Sequence, residues 1–131
     1  MTTESSVRQA VEADDAADME RVAALVAENV HYHINAAPDC GPYVADCQSK
    51  ADFFGAVGEI LADWDIDSYK IADMIVSGDR AAVQIAIEMT SKHTGKQRTA
   101  ALALFVTVKD GQLSEIIEYH DTKMVATARD G

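Results

Sequence analysis

Two short segments of the sequence bring histidine, tyrosine and carboxylate side chains close together. One is Val30-His31-Tyr32-His33-Ile34, and the other is Glu118-Tyr119-His120-Asp121 near the carboxyl end. A histidine exchanges protons near neutral pH, and a neighbouring carboxylate orients its ring and makes it more basic. His33 and Glu118 would therefore form a workable acid–base pair for removing a proton beside a carbonyl group.

The first segment is short and rich in β-prone residues, so we predict a strand over 29–35. Alternation along a strand places His31 and His33 on one face and Tyr32 on the other. Tyr32 and His33 are both candidates for the acid–base site. The two histidines could also supply two metal ligands, with Glu118 or His120 as a third. The spacing does not require this, and we predict no metal.

The last predicted strand, 112–122, leaves open which of its faces lines a site. One face carries Glu118 and His120, and the other carries Tyr119 and Asp121. The second face also carries Leu113 and Ile117 and is the more apolar, so composition alone favours it as the inner one. A bulge near the end of the strand could also turn Asp121 toward the site. Glu118, His120 and Asp121 are therefore all catalytic candidates.

Other kinds of chemistry lack the residues they need. The sequence has no serine or cysteine nucleophile arrangement, no phosphate-binding loop and no dinucleotide fingerprint, so we expect no cofactor. Cys40 and Cys47 lie in a predicted loop without the further cysteines or clustered histidines of a zinc site. They could form a disulfide or remain as two free thiols, and we assign them no function.

The composition narrows the range of partners. The chain has 131 residues, enough for one domain with one core, and its formal charge is −11. Such an acidic surface repels phosphate backbones and anionic lipid, so we expect neither nucleic acid nor membrane as a partner. No apolar stretch approaches the length of a membrane span, and the first residues do not resemble a signal peptide. We therefore expect a cytoplasmic protein.

Apolar periodicity predicts that helices come first and strands last. We expect a single domain over 1–131, with flexible tails at 1–5 and 124–131. Ser49 and Asp52 have the spacing of a capping box, which would open the third helix. The predicted elements are helices 4–13 and 16–27, strand 29–35, a loop over 35–48, the helix after Ser49, and strands 69–76, 81–92, 99–109 and 112–122.

Helices followed by a long antiparallel meander indicate an α+β fold. Long strands joined by tight turns twist and curl, so three N-terminal helices would pack in the concave face of a strongly curved antiparallel or mixed sheet. The result is a cone-shaped α+β barrel whose mouth is a natural pocket. The apolar residues expected to line this pocket and contact a small apolar ligand are Phe53, Phe54, Val57, Trp64, Leu102 and Leu104.

Three stretches also resemble a known family: 29–34, 50–54 and 106–122, the last containing Glu118-Tyr119-His120-Asp121. They resemble the SnoaL-like branch of the nuclear-transport-factor-2-like superfamily, which includes polyketide cyclases, ketosteroid isomerase and limonene epoxide hydrolase. The resemblance implies the cone-shaped fold, commonly a homodimer through the sheet, and acid–base chemistry on small apolar substrates without cofactor or metal. It favours Glu118 and His120 as pocket residues and places His33 near the isomerases' general base.

The sequence departs from the resembled enzymes at three positions. Leu104 stands where the isomerases keep a protonated acid, so steroid isomerisation is disfavoured. Glu88 and Thr90 stand near the positions of an arginine and an aspartate in the epoxide hydrolases, whose triad is not intact here. We expect a cofactor-independent lyase or isomerase, similar to polyketide cyclases, acting on a small apolar carbonyl compound. The alternative is a non-catalytic domain of the same fold that binds a small ligand or dimerises.

Overall fold

The computed structural model describes residues 2–36, 43 and 45–130. Within these ranges four helices and six strands follow one another, and all six strands belong to one sheet. In chain order the elements are α1 (Thr3–Asp15), α2 (Met19–Leu25), β1 (Val26–Ile34), β2 (Ala45–Cys47), α3 (Lys50–Asp63), β3 (Trp64–Ser77), β4 (Arg80–Ser91), β5 (Gln97–Lys109), β6 (Gln112–Tyr119) and α4 (Thr122–Asp130).

Helix α1 packs its apolar side on the sheet. The helix begins where the Thr2 hydroxyl accepts a hydrogen bond from the backbone N–H of Ser5 at 3.0 Å, satisfying a free donor of the first turn. Val7, Ala10 and Val11 recur at helical spacing and are buried. The last residues of α1 contact β3, so the end of this helix lies over the inner face of the sheet.

Helix α3 begins at the predicted place, because the Ser49 hydroxyl accepts a hydrogen bond from the backbone N–H of Asp52 at 3.1 Å. Phe53 is buried on its inner side. The helix then passes directly into β3, and Trp64 is the first residue of this strand. Its side chain is almost fully buried.

The sheet has the strand order β2-β1-β6-β5-β4-β3. Strands β3 to β6 form the predicted antiparallel meander, and β1 pairs with β6 in parallel. In this register Tyr32 lies beside Ile116 and Ile34 lies beside Glu118. Paired residues of neighbouring strands point to the same side of a sheet, so Tyr32 and Glu118 share the inner face.

Strand β3 has two irregularities in its pairing with β4, the first between Ile66 and Ser68 and the second between Ile71 and Asp73. Each inserts one residue into β3, so the alternation of inner and outer side chains shifts by one position. The first of these bulges turns Tyr69 to the same side as Trp64, where it packs against the core. A regular strand would have turned Tyr69 outward.

Several predicted boundaries are wrong. Strand β1 begins at Val26, because the chain pairs with β6 immediately after α2, whereas we predicted helix 16–27 followed by strand 29–35. Strand β3 is longer than the predicted strand 69–76 because its pairing with β4 starts at Trp64. Strand β2 lies inside the predicted loop over 35–48, most of whose remaining residues are outside the described ranges.

The last strand is also shorter than predicted. Strand β6 ends at Tyr119, and α4 follows from Thr122, where we expected the strand to run on to 122 and a tail to begin at 124. Val125 and Ala128 of α4 are buried, because this helix covers one side of the core. At the other end, residues 3–5 of the expected N-terminal tail belong to α1.

The predicted α+β class is confirmed, with helices packed on one face of a curved mixed sheet. The described part of the chain has four helices rather than three. Across the described residues the sheet does not close into a barrel, since β2 and β3 remain as its two edges. The helices and the inner face together enclose the buried cluster that forms the core.

Candidate active site

A cavity of about 110 Å³ lies between the inner face of the sheet and the helices α1, α3 and α4. A second compartment of about 70 Å³ lies deeper in the core. The walls are mostly apolar, but the two spaces share four side chains able to donate hydrogen bonds or exchange protons: Asp14, Tyr32, Tyr69 and Glu118. His120 lines the first cavity as well. These four polar side chains therefore lie between the two apolar spaces.

Glu118 is the central acid of this site, and it is only 8% exposed. The Tyr32 hydroxyl donates a hydrogen bond to Glu118 Oε1 at 3.2 Å. His120 Nδ1 lies 3.0 Å from Glu118 Oε2. A buried carboxylate needs such donors, because an unpaired buried charge costs several kcal/mol, on the order of 3–5 when one partner of an ion pair is removed.

The contact with Glu118 fixes the chemistry of the His120 ring. An ionised carboxylate only accepts hydrogen bonds, so Nδ1 of a neutral His120 must carry the proton. The lone pair then lies on Nε2, and this nitrogen can accept a proton as a general base. The side chain of His120 is only 5% exposed. Water therefore competes little for this nitrogen.

Asp14, at the end of α1, is a site residue that the sequence analysis missed. Burial, followed by the negative charges of Glu118 and Asp15, raises the pKa of Asp14 from 3.8 to about 6. An acid with that pKa holds an appreciable protonated fraction near neutral pH and can give a proton as well as accept one. The sequence signal was the Asp14-Asp15 pair, which interrupts the apolar stripe of the first helix and looks like solvated surface.

The two tyrosines of the site are kept as hydrogen-bond donors. Burial, followed by the charge of Glu118, raises the pKa of Tyr32 well above its usual value. Burial, followed by the charges of Asp14 and Glu118, does the same to the pKa of Tyr69. Neither phenol ionises under ordinary conditions, so each keeps its O–H group, and that of Tyr32 is donated to Glu118.

His33 does not meet Glu118. On β1 it points to the outer face of the sheet with His31, because the alternating residues Val30, Tyr32 and Ile34 point inward. His33 Nδ1 lies 3.9 Å from Asp46 Oδ1 on the neighbouring strand β2. The predicted His33–Glu118 pair is therefore not formed, and His120 occupies the place beside Glu118 instead.

The outer histidine cluster has its own partners. His31 Nε2 lies 2.9 Å from Asp46 Oδ1, and its Nδ1 lies 3.4 Å from Glu115 Oε2. The carboxylate of Asp46, and more weakly that of Glu115, raise the pKa of His31 against the effect of burial. Across the described ranges, no three His, Cys, Asp or Glu side chains are grouped so that they could hold a metal ion.

Asp121 lies just beyond β6 and is exposed. Its Oδ1 accepts a hydrogen bond from the backbone N–H of Met124 at 2.9 Å, and its carbonyl accepts one from the N–H of Val125. These contacts make Asp121 the N-cap of α4. Asp121 does not line the inner cavity. It lines a groove on the outer face of the sheet instead.

Most of the apolar residues predicted to contact a ligand do line the inner space. Val57, Trp64 and Leu102 line the first cavity, and Phe53 and Leu104 line the deeper compartment. Phe54 lines neither of them and packs edge-on against Phe53. The sequence analysis missed the apolar lining residues Ile60, Leu61, Ile66, Ile87, Met89 and Val125.

Cys47 takes no part in this site. Cys47 is a buried free thiol on β2, and burial raises its pKa. Cys40, the other cysteine of the possible disulfide, lies outside the described residues. No helix in the described part of the chain is long and apolar enough to cross a membrane.

Comparisons with known proteins agree with this architecture. Residues 7–116 match the SnoaL-like domain family, and since this is most of the chain, the protein belongs to that family. No curated protein matches the sequence of the chain.

Several solved structures have the same fold. An NTF2-like protein from Burkholderia thailandensis has a TM-score of 0.86 and 22% identity, over 100% of this chain and 99% of its own. IdmH from Streptomyces antibioticus, proposed to be a polyketide cyclase, has a TM-score of 0.81 and 17% identity over 98% of both chains. A proposed polyketide cyclase from Pseudomonas putida has a TM-score of 0.78 and 19% identity over 98% of both chains. At these identities the likeness shows the fold alone.

Proposed function

We propose that the protein is a cofactor-independent lyase or isomerase, similar to polyketide cyclases, that removes and returns a proton beside the carbonyl group of a small apolar compound. The observation that carries this proposal is the buried Glu118, which contacts Tyr32 on one oxygen and His120 on the other inside an apolar cavity. Two titratable groups in hydrogen-bond contact within one pocket are what acid–base catalysis requires.

Each residue has a role that its position supports. His120 Nε2 takes the proton from the carbon next to the carbonyl, and the electron pair of the broken C–H bond moves to the carbonyl oxygen as an enolate forms. Glu118 keeps the His120 ring in the reactive tautomer and stabilises the imidazolium by its charge. Tyr32 holds Glu118 in place. Asp14, in its protonated form, supplies a proton to the developing negative charge.

An exchange assay tests the proposal without knowledge of the natural substrate. Small ketones such as acetophenone would be incubated with the protein in D₂O, and the loss of their α-protons would be followed by NMR. We expect exchange above the buffer rate, and a decrease of about 100-fold or more in Glu118→Gln and in His120→Asn, the usual range for a lost acid–base group. Glu115→Gln is the matched control, because Glu115 lies on the outer face of the same strand.

The result that would overturn this proposal is also clear. If a panel of single-ring ketones exchanged no faster with the wild-type protein than in buffer, the non-catalytic alternative would replace it. The same holds if exchange were unaffected by both Glu118→Gln and His120→Asn. In that case the cavity would serve binding alone.

We also propose that the outer face of the sheet joins two copies of this chain. Support comes from a groove of about 450 Å³ on that face. Large apolar side chains are exposed around it, with Ile75 at 68%, Tyr119 at 43% and Phe105 at 42% exposure. Phe105 and Tyr119 pack edge to face beside this groove, and both leave apolar surface exposed that a partner can cover. Two further expectations remain predictions from the sequence: that the protein is cytoplasmic and that it acts without a cofactor.

A further inference from the structure

The hydroxyl of Tyr69 is a donor of the cavity wall that has no hydrogen-bond partner among the described residues. The other tyrosine hydroxyls of this wall are occupied by the protein's own carboxylates. Tyr32 donates to Glu118. Tyr43 donates to Asp63 Oδ2 at 2.8 Å. A ligand can therefore accept a hydrogen bond from Tyr69 without displacing an internal one.

A molecule in the cavity can also touch this hydroxyl. Among the described side chains, the indole nitrogen of Trp64 is the only nitrogen or oxygen that is both sealed from solvent and unpaired. The hydroxyl of Tyr69 is unpaired but not sealed, so it keeps accessible surface. The Tyr69 side chain lines the first cavity and the deeper compartment, and the first cavity is partly open to solvent.

The backbone places Tyr69 beside the end of α1. The first bulge of β3 turns the Tyr69 side chain inward. The backbone N–H of Tyr69 donates to Asp15 Oδ1 at 2.9 Å, and Lys70 Nζ lies 3.0 Å from Asp15 Oδ2. These contacts tie the end of α1 to β3. Asp14, the residue before Asp15, therefore lines the same two spaces as Tyr69.

The carboxyl of Asp14 likewise receives no hydrogen bond from the described part of the chain. Burial without a donor favours the neutral form of a carboxyl, and together with the charges of Glu118 and Asp15 it raises the pKa of Asp14 to about 6. A neutral carboxyl has one O–H group to donate, and the phenol of Tyr69 has another. The wall thus offers a pair of donors to a molecule in the cavity.

A neutral carbonyl oxygen fits such a pair of donors. It has two lone pairs and no proton, so it accepts a hydrogen bond from both groups at once. A ligand carboxylate would be repelled by the charge of Glu118. A ligand ammonium group brings only donors, and Asp14 would have to ionise to accept from it, in surroundings that favour the neutral acid.

We propose that the hydroxyl of Tyr69 and the protonated carboxyl of Asp14 together bind the carbonyl oxygen of the substrate. The proposal rests on the acid–base function proposed above and deepens it, because it adds the group that holds the carbonyl in the cavity that His120 also lines. When His120 Nε2 takes the proton from the neighbouring carbon, the electron pair of the C–H bond moves to this oxygen. The two hydrogen bonds stabilise the charge there, and Asp14 then gives its proton to the enolate oxygen.

Tyr69→Phe is the test variant, because it removes the hydroxyl and keeps the ring. Since that hydroxyl makes no internal hydrogen bond, the variant should unfold at the same urea concentration as the wild-type protein. Tyr32→Phe, which loses the hydrogen bond to Glu118, should unfold at a lower one. A lower midpoint for Tyr69→Phe would show that the protein itself occupies the hydroxyl, and the inference would be wrong.

Calorimetry with the full chain would then compare acetophenone with ethylbenzene, which has nearly the same shape without the oxygen. Tyr69→Phe should bind acetophenone about fivefold more weakly, which corresponds to the loss of one hydrogen bond of about 1 kcal/mol. Its affinity for ethylbenzene should change less than about twofold. Tyr119→Phe is the matched control, because Tyr119 lines the groove on the outer face of the sheet, and it should bind both ligands as the wild-type protein does.

The carbonyl band of bound acetophenone reports the hydrogen bonds directly. With ¹³C at the carbonyl, infrared difference spectra should show the bound band at lower frequency than in cyclohexane, because hydrogen bonds weaken the C=O bond. In Tyr69→Phe and in Asp14→Ala the band should move back toward its position in cyclohexane. Asp14→Asn, whose amide N–H can donate, should keep the band near its wild-type position.

Four results would overturn the inference: no binding of acetophenone, an unchanged carbonyl band in Tyr69→Phe, equal loss of affinity for both ligands, or tighter binding of the 1-phenylethylamine cation than of acetophenone. These measurements need no turnover, so they are separate from the test of catalysis. If the band moves as expected but no α-proton exchange occurs, the proposed catalytic function fails while the role of Tyr69 stands. If exchange occurs and Tyr69→Phe changes neither exchange nor the band, the role of Tyr69 alone fails.

Discussion

The raised pKa of Asp14 predicts that this residue lowers the stability of the folded protein at neutral pH. In the unfolded chain an aspartate titrates near 3.8, whereas Asp14 in the folded protein titrates at about 6. Between these values the unfolded chain ionises and the folded protein does not, so the stability contributed by Asp14 falls as the pH rises. Well below pH 3.8, at about pH 3, the carboxyl is protonated in both states, and the penalty is absent.

The magnitude follows from the size of the shift. One pKa unit corresponds to 1.36 kcal/mol, so a rise of about two units gives at most about 3 kcal/mol. Asp14 is only partly buried, so we expect about 1–3 kcal/mol. Asp14→Asn should therefore stabilise the protein by that amount at pH 7 and by about a fifth of it at pH 4.

Urea unfolding followed by the fluorescence of the single tryptophan would measure this at pH 4, 5, 6 and 7. Asp15→Asn is the matched control. Hydrogen bonds from the backbone N–H of Tyr69 and from Lys70 lower the pKa of Asp15, so its carboxylate stabilises the fold at neutral pH. The control should thus be destabilised at pH 7, opposite in sign to Asp14→Asn. A gain for Asp14→Asn that is the same at pH 4 and pH 7 would refute the reasoning.

Two further predictions concern the residue that follows β6 and the outer face of the sheet. Asp121→Ala should lower the free energy of unfolding by about 1 kcal/mol, because it removes the N-cap of α4. Asp121→Asn keeps an acceptor for the N–H of Met124 and should leave the stability unchanged. Loss of α-proton exchange in Asp121→Asn would instead show that Asp121 is a catalytic acid. Light scattering at micromolar concentration should give the mass of a dimer for the wild-type protein and of a monomer for Phe105→Lys, because a buried lysine beside Tyr119 would be unpaired. A monomeric wild-type protein would contradict the proposed interface.

The fold could be predicted from the sequence in its main features, because the signals are local. Ser49 marks a helix start, and the Asp110-Gly111 turn joins two long alternating strands. The positive φ values of both turn residues, 53° and 76°, are those that such a turn requires. The parallel pairing of β1 with β6 joins segments some 80 residues apart, and no local signal in either segment specifies it.

That long-range pairing is why the candidate site could be predicted only in part. Composition favoured the face of β6 that carries Tyr119, but the pairing with β1 and β5 places Glu118 inside and leaves Tyr119 half exposed. Asp14 reaches the cavity only because α1 lies across the inner face of the sheet. Tyr69 reaches it because of a bulge in a segment without glycine or proline.

Helix α4 left a weak signal that the sequence analysis did not use. Asp121 is a good N-cap residue, and Val125 and Ala128 recur at helical spacing behind it. A segment of only nine residues is also short enough to look like a flexible tail. The helix gains its stability from the core that it covers, which only the folded structure reveals.

The most direct test of the acid–base site is the protonation state of the His120 ring. ¹⁵N NMR of the labelled protein at pH 8, with the ring signals assigned by comparison with His120→Asn, distinguishes a protonated from an unprotonated nitrogen. We predict that Nδ1 carries the proton, because it donates to Glu118, and that Nε2 has the shift of a free lone pair. A proton on Nε2 with a bare Nδ1, in wild-type protein, would contradict the central claim that Glu118 holds His120 ready as a base.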